Sequence, residues 1–264
     1  MVIPVGGLAS LQTSVIGQKA ERGVEESPRE IQKVNEDCLV SSPNTGACLG
    51  LAFLAIVMGL LLFLPAGTVR YWQAWGYLCI FLGASLLITI YLVKKDPALL
   101  ERRLKAGPTA EKEKQQKIIM FFASAGFIAL LVVSAFDHRF MWSSLPVYVA
   151  IAGDLSTALG FYIVFLVYKE NPFTSATIEV VADQEVISTG PYAVVRHPMY
   201  AGSLPLLLGT PLGLGSYWGL LPLAATMPFL MWRLLDEERF LSKNLPGYTE
   251  YCTKVRWRLI PGVF

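Results

Sequence analysis

Charged residues are scarce in this sequence: Asp, Glu, Lys and Arg make up 16% of it, whereas 54% of the residues are hydrophobic. A soluble domain carries about 25% charged residues and roughly 45–50% apolar residues, so the composition excludes an ordinary water-soluble globule. The formal net charge is only +2 at pH 7. Nucleic-acid binding is therefore not predicted, because it requires a basic stripe and a high pI.

Cysteine is also scarce, with four residues at positions 38, 48, 79 and 252. Their separations do not match the short spacings of zinc or redox sites. Cys48 and Cys79 fall within apolar runs, where a thiol behaves as a small hydrophobe. We interpret all four cysteines as reduced structural residues, and we predict no metal site.

Residues 1–46 lack a long apolar run. They are polar and of mixed charge, and Gly6, Gly7, Pro28 and Pro43 interrupt any helical periodicity. No basic start precedes a continuous apolar core, and glutamates are frequent, so neither a signal peptide nor a mitochondrial transit peptide is indicated. We predict a disordered tail, with a targeting role as the alternative.

Four apolar runs are long enough to cross a membrane. A helix rises about 1.5 Å per residue, so roughly 20 residues span a hydrocarbon core of about 30 Å. Lysine and arginine exceed acids between the second and third runs, at 94–117, which the positive-inside rule assigns to the cytosol. The four predicted spans are 47–69, a second run that continues to Val93, 118–136 and 145–168.

Two shorter apolar runs follow, at 199–214 and 218–232. Gly213, Gly215 and Ser216 mark a turn between them, so they favour a compact or tilted helical hairpin with both ends inside. Before this hairpin, turn residues and an alternating run at 178–187 favour an ordered loop with some extended structure.

The fold class predicted from this pattern is all-α, a polytopic transmembrane helical bundle. It has about five to six membrane helices, including the C-terminal hairpin, and a pocket at the cytosolic side. Span parity places 94–117, 169–198 and 235–264 on the cytosolic side. The predicted divisions are a tail at 1–46, four spans at 47–168 and a C-terminal region at 169–264 that carries the polar motifs.

The first polar cluster is centred on Arg196, His197 and Pro198. Proline suits the first turn of a helix and disfavours helical geometry in the residue before it, so Pro198 should begin a helix with His197 just outside. The exposed N–H groups of that end, together with Arg196, suit a ligand carboxylate. The alternative is that Arg196 and His197 are interfacial anchors.

The second polar cluster, Arg233, Asp236, Glu237 and Glu238, follows the last apolar run. Arg233 and Glu237 share a helix face, where an exposed pair contributes only about 0.2–0.5 kcal/mol. A contribution to stability therefore does not explain why these residues are present. The alternative is that they are solvated charges at the membrane interface. A hairpin that returns them beside His197 would give one pocket both an anion and a cation.

Together, these motifs resemble the isoprenylcysteine carboxyl methyltransferase family and its phospholipid methyltransferase relatives. The resemblance covers 171–264 closely and the earlier spans more loosely. It rests on residues 184–187, 190–192 and 196–202, on Arg233 with Glu237 and Glu238, and on Tyr248, Tyr251, Val255 and 258–261.

The resemblance implies methyl transfer from S-adenosylmethionine to a lipophilic acceptor at the cytosolic face, most specifically carboxyl O-methylation of an isoprenylcysteine-like substrate. It implies that Arg233, the candidate catalytic residue, faces the acceptor. Membrane lipids are expected partners, and no obligate protein partner is evident. The implied cofactor-binding residues are Gln184, Glu185, Val186, Ile187, Tyr192, His197, Pro198, Met199, Tyr200 and Glu237, of which Glu185 and Val186 would act through their backbone.

Asp154 falls near the middle of the fourth span, where a charged residue costs about 3 kcal/mol on insertion scales. We expect it to face the bundle interior, either in a structural hydrogen bond or in the acceptor pocket.

Three other functions fit parts of the sequence. A phospholipid N-methyltransferase shares the motifs, and NADPH-dependent sterol-type reductases resemble the carboxyl end, although they are longer. A non-enzymatic transporter or scaffold is disfavoured, because only Asp154 lies deep within a span and no polar pathway is evident.

Overall fold

A computed structural model describes residues 43–104, 111, 113–175, 177–178, 180 and 184–264. Across these residues all regular structure is helical, which confirms the predicted all-α helical bundle. The predicted tail at 1–46 lies almost entirely outside the described residues. The elements are α1 (Pro43–Ala66), α2 (Trp72–Lys95), α3 (Pro97–Leu104), α4 (Lys114–Phe140), α5 (Val147–Glu170), a 3₁₀ turn (Gly190–Ala193), α6 (Pro198–Gly213), α7 (Leu220–Asn244) and α8 (Tyr248–Lys254).

Four helices of the described chain, α1, α2, α4 and α5, are long and apolar enough to span a membrane. They coincide with the four predicted spans. Large apolar side chains on their outer faces are exposed, for example Leu64 and Leu87, both 69% exposed. In a soluble protein such a surface would aggregate, whereas in a bilayer it contacts lipid.

The remaining helices differ in detail from the expectation. The hairpin is present, since α6 ends at Gly213 and α7 begins at Leu220. However, α7 continues to Asn244, three turns beyond the end of the apolar run at Trp232, and so carries the second polar cluster on a continuous helix. The basic loop contains α3, which the charge pattern does not reveal, and no strand occurs in the described part of 178–187.

Helices α5 and α6 are in contact backbone to backbone. A Cβ atom on Gly153 would lie 2.2 Å from the main-chain nitrogen of Gly213, and one on Gly160 would lie 2.6 Å from the carbonyl oxygen of Gly202. A Cβ atom on Gly209 would likewise lie 2.4 Å from the carbonyl oxygen of Gly153. Glycine is required at these positions because small residues let membrane helices approach closely. This contact fixes the start of α6 relative to the end of α5.

Asp154 lies beside this contact and faces the bundle interior, as predicted, with 8% of its surface exposed. Its carboxylate points between α6 and α2, since a Cβ atom on Gly213 would lie 2.5 Å from Oδ1 and one on Gly76 would lie 3.3 Å from Oδ2. Within the described residues, Oδ1 has no hydrogen-bond partner. Asp154 also does not line the large cavity of the bundle, so its surroundings support neither of the two predicted roles.

The turn between α6 and α7 is anchored at the opposite end of the bundle by Asp137 of α4. Its carboxylate accepts hydrogen bonds from the Ser143 main-chain N–H and hydroxyl, both at 2.7 Å, and from the Ser216 hydroxyl. The Tyr71 hydroxyl donates to the Leu214 carbonyl oxygen at 2.6 Å. These bonds hold the hairpin against α4, so that α7 runs back towards the start of α6.

Candidate active site

One cavity of about 450 Å³ lies within the bundle and extends to the end where α6 begins. Its wall is built by α1, α4, the segment after α5, α6, α7 and α8. The structure thus brings the two polar clusters of the sequence together. All of the residues predicted to form the site line this cavity, namely Gln184, Glu185, Val186, Ile187, Tyr192, His197, Pro198, Met199, Tyr200, Arg233 and Glu237. What each of them binds stays a prediction.

His197 occupies the N-cap position of α6, and Pro198 follows in the first turn, as predicted. The His197 side chain is 4% exposed, and its Nε2 atom has no hydrogen-bond partner among the described residues. Burial lowers the pKa of this imidazole below its usual range, so His197 is neutral at pH 7. Buried polar atoms are normally partnered, which makes Nε2 a position where a ligand atom fits.

Arg196 lines the cavity, but its guanidinium is engaged by protein groups, which does not support its predicted part in an anion site. Its guanidinium forms an ion pair with Glu238. It also donates hydrogen bonds to main-chain carbonyl oxygens of the C-terminal segment, at 2.7 Å to Val255 and 3.1 Å to Cys252 and Arg256. The physical reason is that these carbonyl groups belong to the last turn of α8 and the residues just after it, where carbonyl groups lack helical partners, so the guanidinium donates its hydrogen bonds to them.

Glu238 lies between Arg196 and Arg258, whose Nε donates to it at 2.6 Å. Burial alone would raise the pKa of this carboxyl, but the hydrogen bonds from Arg258 and Arg196 hold the pKa below its usual value. The main-chain N–H of His197 donates to the Arg258 carbonyl oxygen at 3.0 Å. These contacts hold the C-terminal segment beside the start of α6.

Glu237, one residue earlier on α7, points into the cavity. The Tyr200 hydroxyl donates to its Oε2 at 2.7 Å. Within the described part of the chain Glu237 forms no ion pair, in contrast to Glu238. Of these two adjacent carboxylates, Glu237 is therefore the one that does not pair with an arginine among the described residues.

Arg233, one turn before Glu237, is 8% exposed and is already paired. Its Nη2 atom donates to Oε1 of Glu111 at 2.7 Å, and its Nη1 atom donates to Oε1 of Gln116 at 3.0 Å. Gln116 in turn donates to Asp236. Sequence reasoning missed Glu111 and Gln116, because they belong to a segment that looked like a solvated basic loop and lie more than one hundred residues from Arg233.

Tyr192 is held from two sides by residues that contribute to the cavity wall. Asn171, which ends α5, donates from Nδ2 to the Tyr192 hydroxyl at 2.8 Å, and the Tyr251 hydroxyl donates to the Tyr192 carbonyl oxygen at 2.7 Å. Burial raises the pKa of the Tyr192 hydroxyl, so it stays protonated. Sequence reasoning noted Tyr251 only as part of the resemblance and did not single out Asn171.

Residues 148–246 match the phospholipid methyltransferase family. This region is similar to a phospholipid methyltransferase domain. This family is one of the isoprenylcysteine carboxyl methyltransferase-like membrane methyltransferases, which confirms the resemblance seen in the motifs. No curated protein matches the chain significantly. The match begins in α5 and ends just after α7, so the C-terminal segment that contributed to the resemblance lies outside it.

The matched region, 148–246, supplies only part of the cavity. The polar end of the cavity is formed mainly by this region, together with Tyr248 and Tyr251 from α8. The apolar arm of the cavity runs between helices that lie inside and outside the matched region. Its walls include Phe53 and Val57 of α1, Met120 and Phe127 of α4, and Leu223 and Leu230 of α7. The arm therefore lies among membrane-spanning helices, whereas the polar end lies at their termini.

Proposed function

We propose that this membrane methyltransferase transfers a methyl group from S-adenosylmethionine to a lipophilic acceptor at the polar end of the cavity. The observation that carries the proposal is the continuity of one cavity from the His197 and Glu237 region to an apolar arm between α1, α4 and α7. A hydrophilic donor and a lipid-like acceptor can meet in such a space. The donor would bind at the polar end of the cavity, and the lipid part of the acceptor would bind in the apolar arm.

The residues at the polar end fit S-adenosylmethionine. Glu237 supplies a negative charge that complements a sulfonium or an ammonium group, and the unpartnered Nε2 of His197 offers a polar contact at the N-terminus of α6. The first N–H groups of α6 favour a carboxylate. Loop residues 184–187 and Tyr192 close the cavity from the other side.

The protein's main contribution to such a reaction is alignment in a dry site. Methyl transfer from a sulfonium to a nucleophile disperses charge in the transition state, so holding donor and acceptor in line lowers the barrier. His197, Tyr200 and Glu237 would hold the donor, and the apolar arm would hold the acceptor's lipid part. The polar end would face the cytosol, as the basic loop at 94–117 predicts.

Carboxyl O-methylation of an isoprenylcysteine-like substrate is the finer form of this proposal. It needs a cation to orient the acceptor carboxylate, and Arg233 is the lining residue of that charge nearest Glu237 along α7. N-methylation of a phospholipid amine is a second candidate. The Arg233–Glu111 ion pair favours it, because Glu111 already neutralises that cation.

The purified full-length protein tests the proposal directly. We expect it to bind S-adenosylmethionine in calorimetry and to transfer a labelled methyl group from it to a lipid fraction. NADPH serves as the comparison ligand. Binding of NADPH without binding of S-adenosylmethionine would overturn the proposal in favour of a reductase.

A further inference from the structure

Arg103, in the short helix α3, is a buried cation on the wall of the cavity. It is 9% exposed and lines the cavity together with Tyr192 and Glu237. Helix α3 is fixed beside the bundle, because Leu99 and Leu100, which are 0% and 4% exposed, pack against the end of α2. The side chain of Arg103 therefore reaches the cavity from a helix that is packed in place.

Protein groups satisfy only part of the hydrogen-bonding capacity of the Arg103 guanidinium. Its Nη1 atom donates to the Ser175 carbonyl oxygen at 2.7 Å, and its central carbon lies 5.2 Å from the centroid of the Tyr168 ring. The Nε atom is buried and has no hydrogen-bond partner among the described residues. Buried polar atoms are normally partnered, so a guanidinium N–H without a partner at a cavity wall marks a position where a ligand oxygen fits.

The charge of Arg103 is also less compensated than the charges of the other two arginines that line the cavity. Arg196 pairs with Glu238 and Arg233 pairs with Glu111, whereas the ion pairs formed within the described residues include none for Arg103. A buried charge is normally paired, and the face of one tyrosine ring compensates a cation only in part. An anionic group of a ligand would complete this pairing.

Tyr192 shows that Arg103 lies near the proposed donor site. Burial is the largest cause that raises the pKa of the Tyr192 hydroxyl; the charge of Glu237 raises this pKa further, and the charge of Arg103 lowers it, so both charges act on the same hydroxyl. Glu185, the other carboxylate of the cavity wall, is exposed. S-adenosylmethionine carries a carboxylate as well as an ammonium and a sulfonium, so it requires a cation as well as an anion. Arg196, the cation predicted for that carboxylate, is engaged by protein groups.

We propose that Arg103 is a further donor-binding residue, whose guanidinium pairs with the carboxylate of S-adenosylmethionine. The proposal rests on the methyltransferase function proposed above. Pairs between a guanidinium and a carboxylate are among the strong charge-assisted hydrogen bonds. Helix α3 precedes the matched region at 148–246, so the donor would be held jointly by the N-terminal helices and the C-terminal region.

The test separates a contact with the carboxylate from a merely structural role of Arg103. Calorimetry on the purified full-length protein compares S-adenosylmethionine with its decarboxylated analogue, which lacks only that carboxylate, and the measured quantity is the ratio of the two Kd values. The wild type should bind S-adenosylmethionine about tenfold more tightly, as expected for one hydrogen-bonded charge pair. Arg103→Gln should bring the ratio close to one by weakening only S-adenosylmethionine, whereas loss of the contact with Ser175 alone would weaken both compounds alike. Arg70→Gln, at an exposed position between α1 and α2, is the matched control and should keep the wild-type ratio.

Arg103→Lys covers the case in which Arg103→Gln fails to fold, because lysine keeps the charge. Lysine lacks the planar fork, so the ratio should fall severalfold while the affinity for the decarboxylated analogue stays the same. Equal affinity of the wild type for the two compounds would overturn the proposal, and so would an unchanged ratio in folded Arg103→Gln, or in Arg103→Lys where only that variant folds. An unchanged ratio with a raised apparent KM for a phosphate-bearing acceptor would overturn it by moving the anion to the acceptor. Binding of neither compound by the wild type would instead refute the methyltransferase function itself.

Discussion

His197 and His138 are the two histidines of the chain, and they lie in different surroundings. His197 lies at the start of α6, lines the cavity, and has a buried Nε2 atom without a hydrogen-bond partner among the described residues. His138 stacks on the Tyr71 ring, with centroids 3.8 Å apart, near the other end of the bundle. Replacing each histidine by alanine therefore tests the cofactor site, with His138 as the control outside the cavity.

We expect His197→Ala to weaken S-adenosylmethionine binding by about tenfold, the loss of one hydrogen bond to a charged ligand group. His138→Ala should leave the affinity unchanged. Combined with Glu237→Ala, the effect should be less than the sum of the two single changes, because both residues hold one ligand. Calorimetry measures all four affinities, and wild-type affinity in both folded single variants would remove them from the cofactor site.

Glu238 predicts a pH dependence of stability. Its folded pKa lies below the ordinary value of 4.5, so its contribution is present above pH 4.5 and is lost as the pH falls through the lower, folded value. Glu238→Gln should destabilise the protein at pH 7 by about 3 kcal/mol, since two arginines lose a buried partner, and should flatten the acid side of the pH profile. Thermal unfolding in detergent gives both results. Glu250→Gln, which breaks an exposed pair with Lys254, should change neither.

Arg233→Lys tests whether the planar shape of the Arg233 guanidinium, and not only its charge, matters for activity. Lysine keeps the charge but lacks the planar fork, so it cannot hold Glu111 and Gln116 at once. We expect lower methyl-transfer activity with little change in S-adenosylmethionine affinity, because Arg233 contacts Glu111 and Gln116 while Glu237 remains in place. Loss of cofactor binding in this variant would show that the roles of Arg233 and Glu237 are not separate.

For individual residues, the position could be predicted from the sequence wherever the neighbours along the chain determine it. His197 before Pro198, and Arg233 one turn before Glu237, follow from helix geometry alone. Glu111 and Gln116 could not be found in this way, because their contact with Arg233 depends on how α4 packs against α7. The partners of Arg196 could not be predicted for a related reason: the carbonyl groups that engage it belong to a segment about sixty residues later.

Among the helices, the packing of α5 on α6 is the most sensitive to small changes. A Cβ atom on Gly153 would lie 2.2 Å from main-chain nitrogen, whereas one on Gly83 of α2 would meet nothing within 4 Å. The steric clash at position 153 can be relieved only by moving a helix. A Cβ atom at position 83 faces open space and causes no clash.

We therefore expect Gly153→Ala to destabilise the protein by about 1–3 kcal/mol, as overpacking does, and to weaken S-adenosylmethionine binding because the start of α6 is displaced. Gly83→Ala should be close to neutral. Unfolding midpoints and cofactor affinity report the two effects separately. Unchanged stability in Gly153→Ala would mean that α5 and α6 can separate without consequence.

The helices were predicted well where apolarity sets their length and poorly where it does not. All four spans follow from runs that are long and apolar enough to cross a bilayer. The end of α7 was placed too early, because apolarity stops at Trp232 while the helix continues on ion pairs and contacts with α8. The short α3 was missed because it is polar and only eight residues long.

For the whole molecule, the orientation in the membrane remains a prediction, derived from the basic residues of 94–117 and from span parity. A cysteine at exposed position 188 in a variant without the native cysteines should be labelled only after the cytosolic side is opened. A cysteine at exposed position 144, on the opposite side of the bundle, should be labelled in intact cells. The reverse pattern would place the polar end of the cavity outside.

The backbone contact between α5 and α6 also limits which substitutions this protein can accept during evolution. The contact itself is made of main chain, where almost any substitution alters the spacing of two helices, whereas side chains from α1, α4 and α7 line the apolar arm and can be exchanged singly. New acceptors of different length or bulk are thus most readily accessible by mutation of these side chains. Directed evolution of acceptor range should accumulate its changes in α1, α4 and α7 and leave the glycines of α5 and α6 untouched.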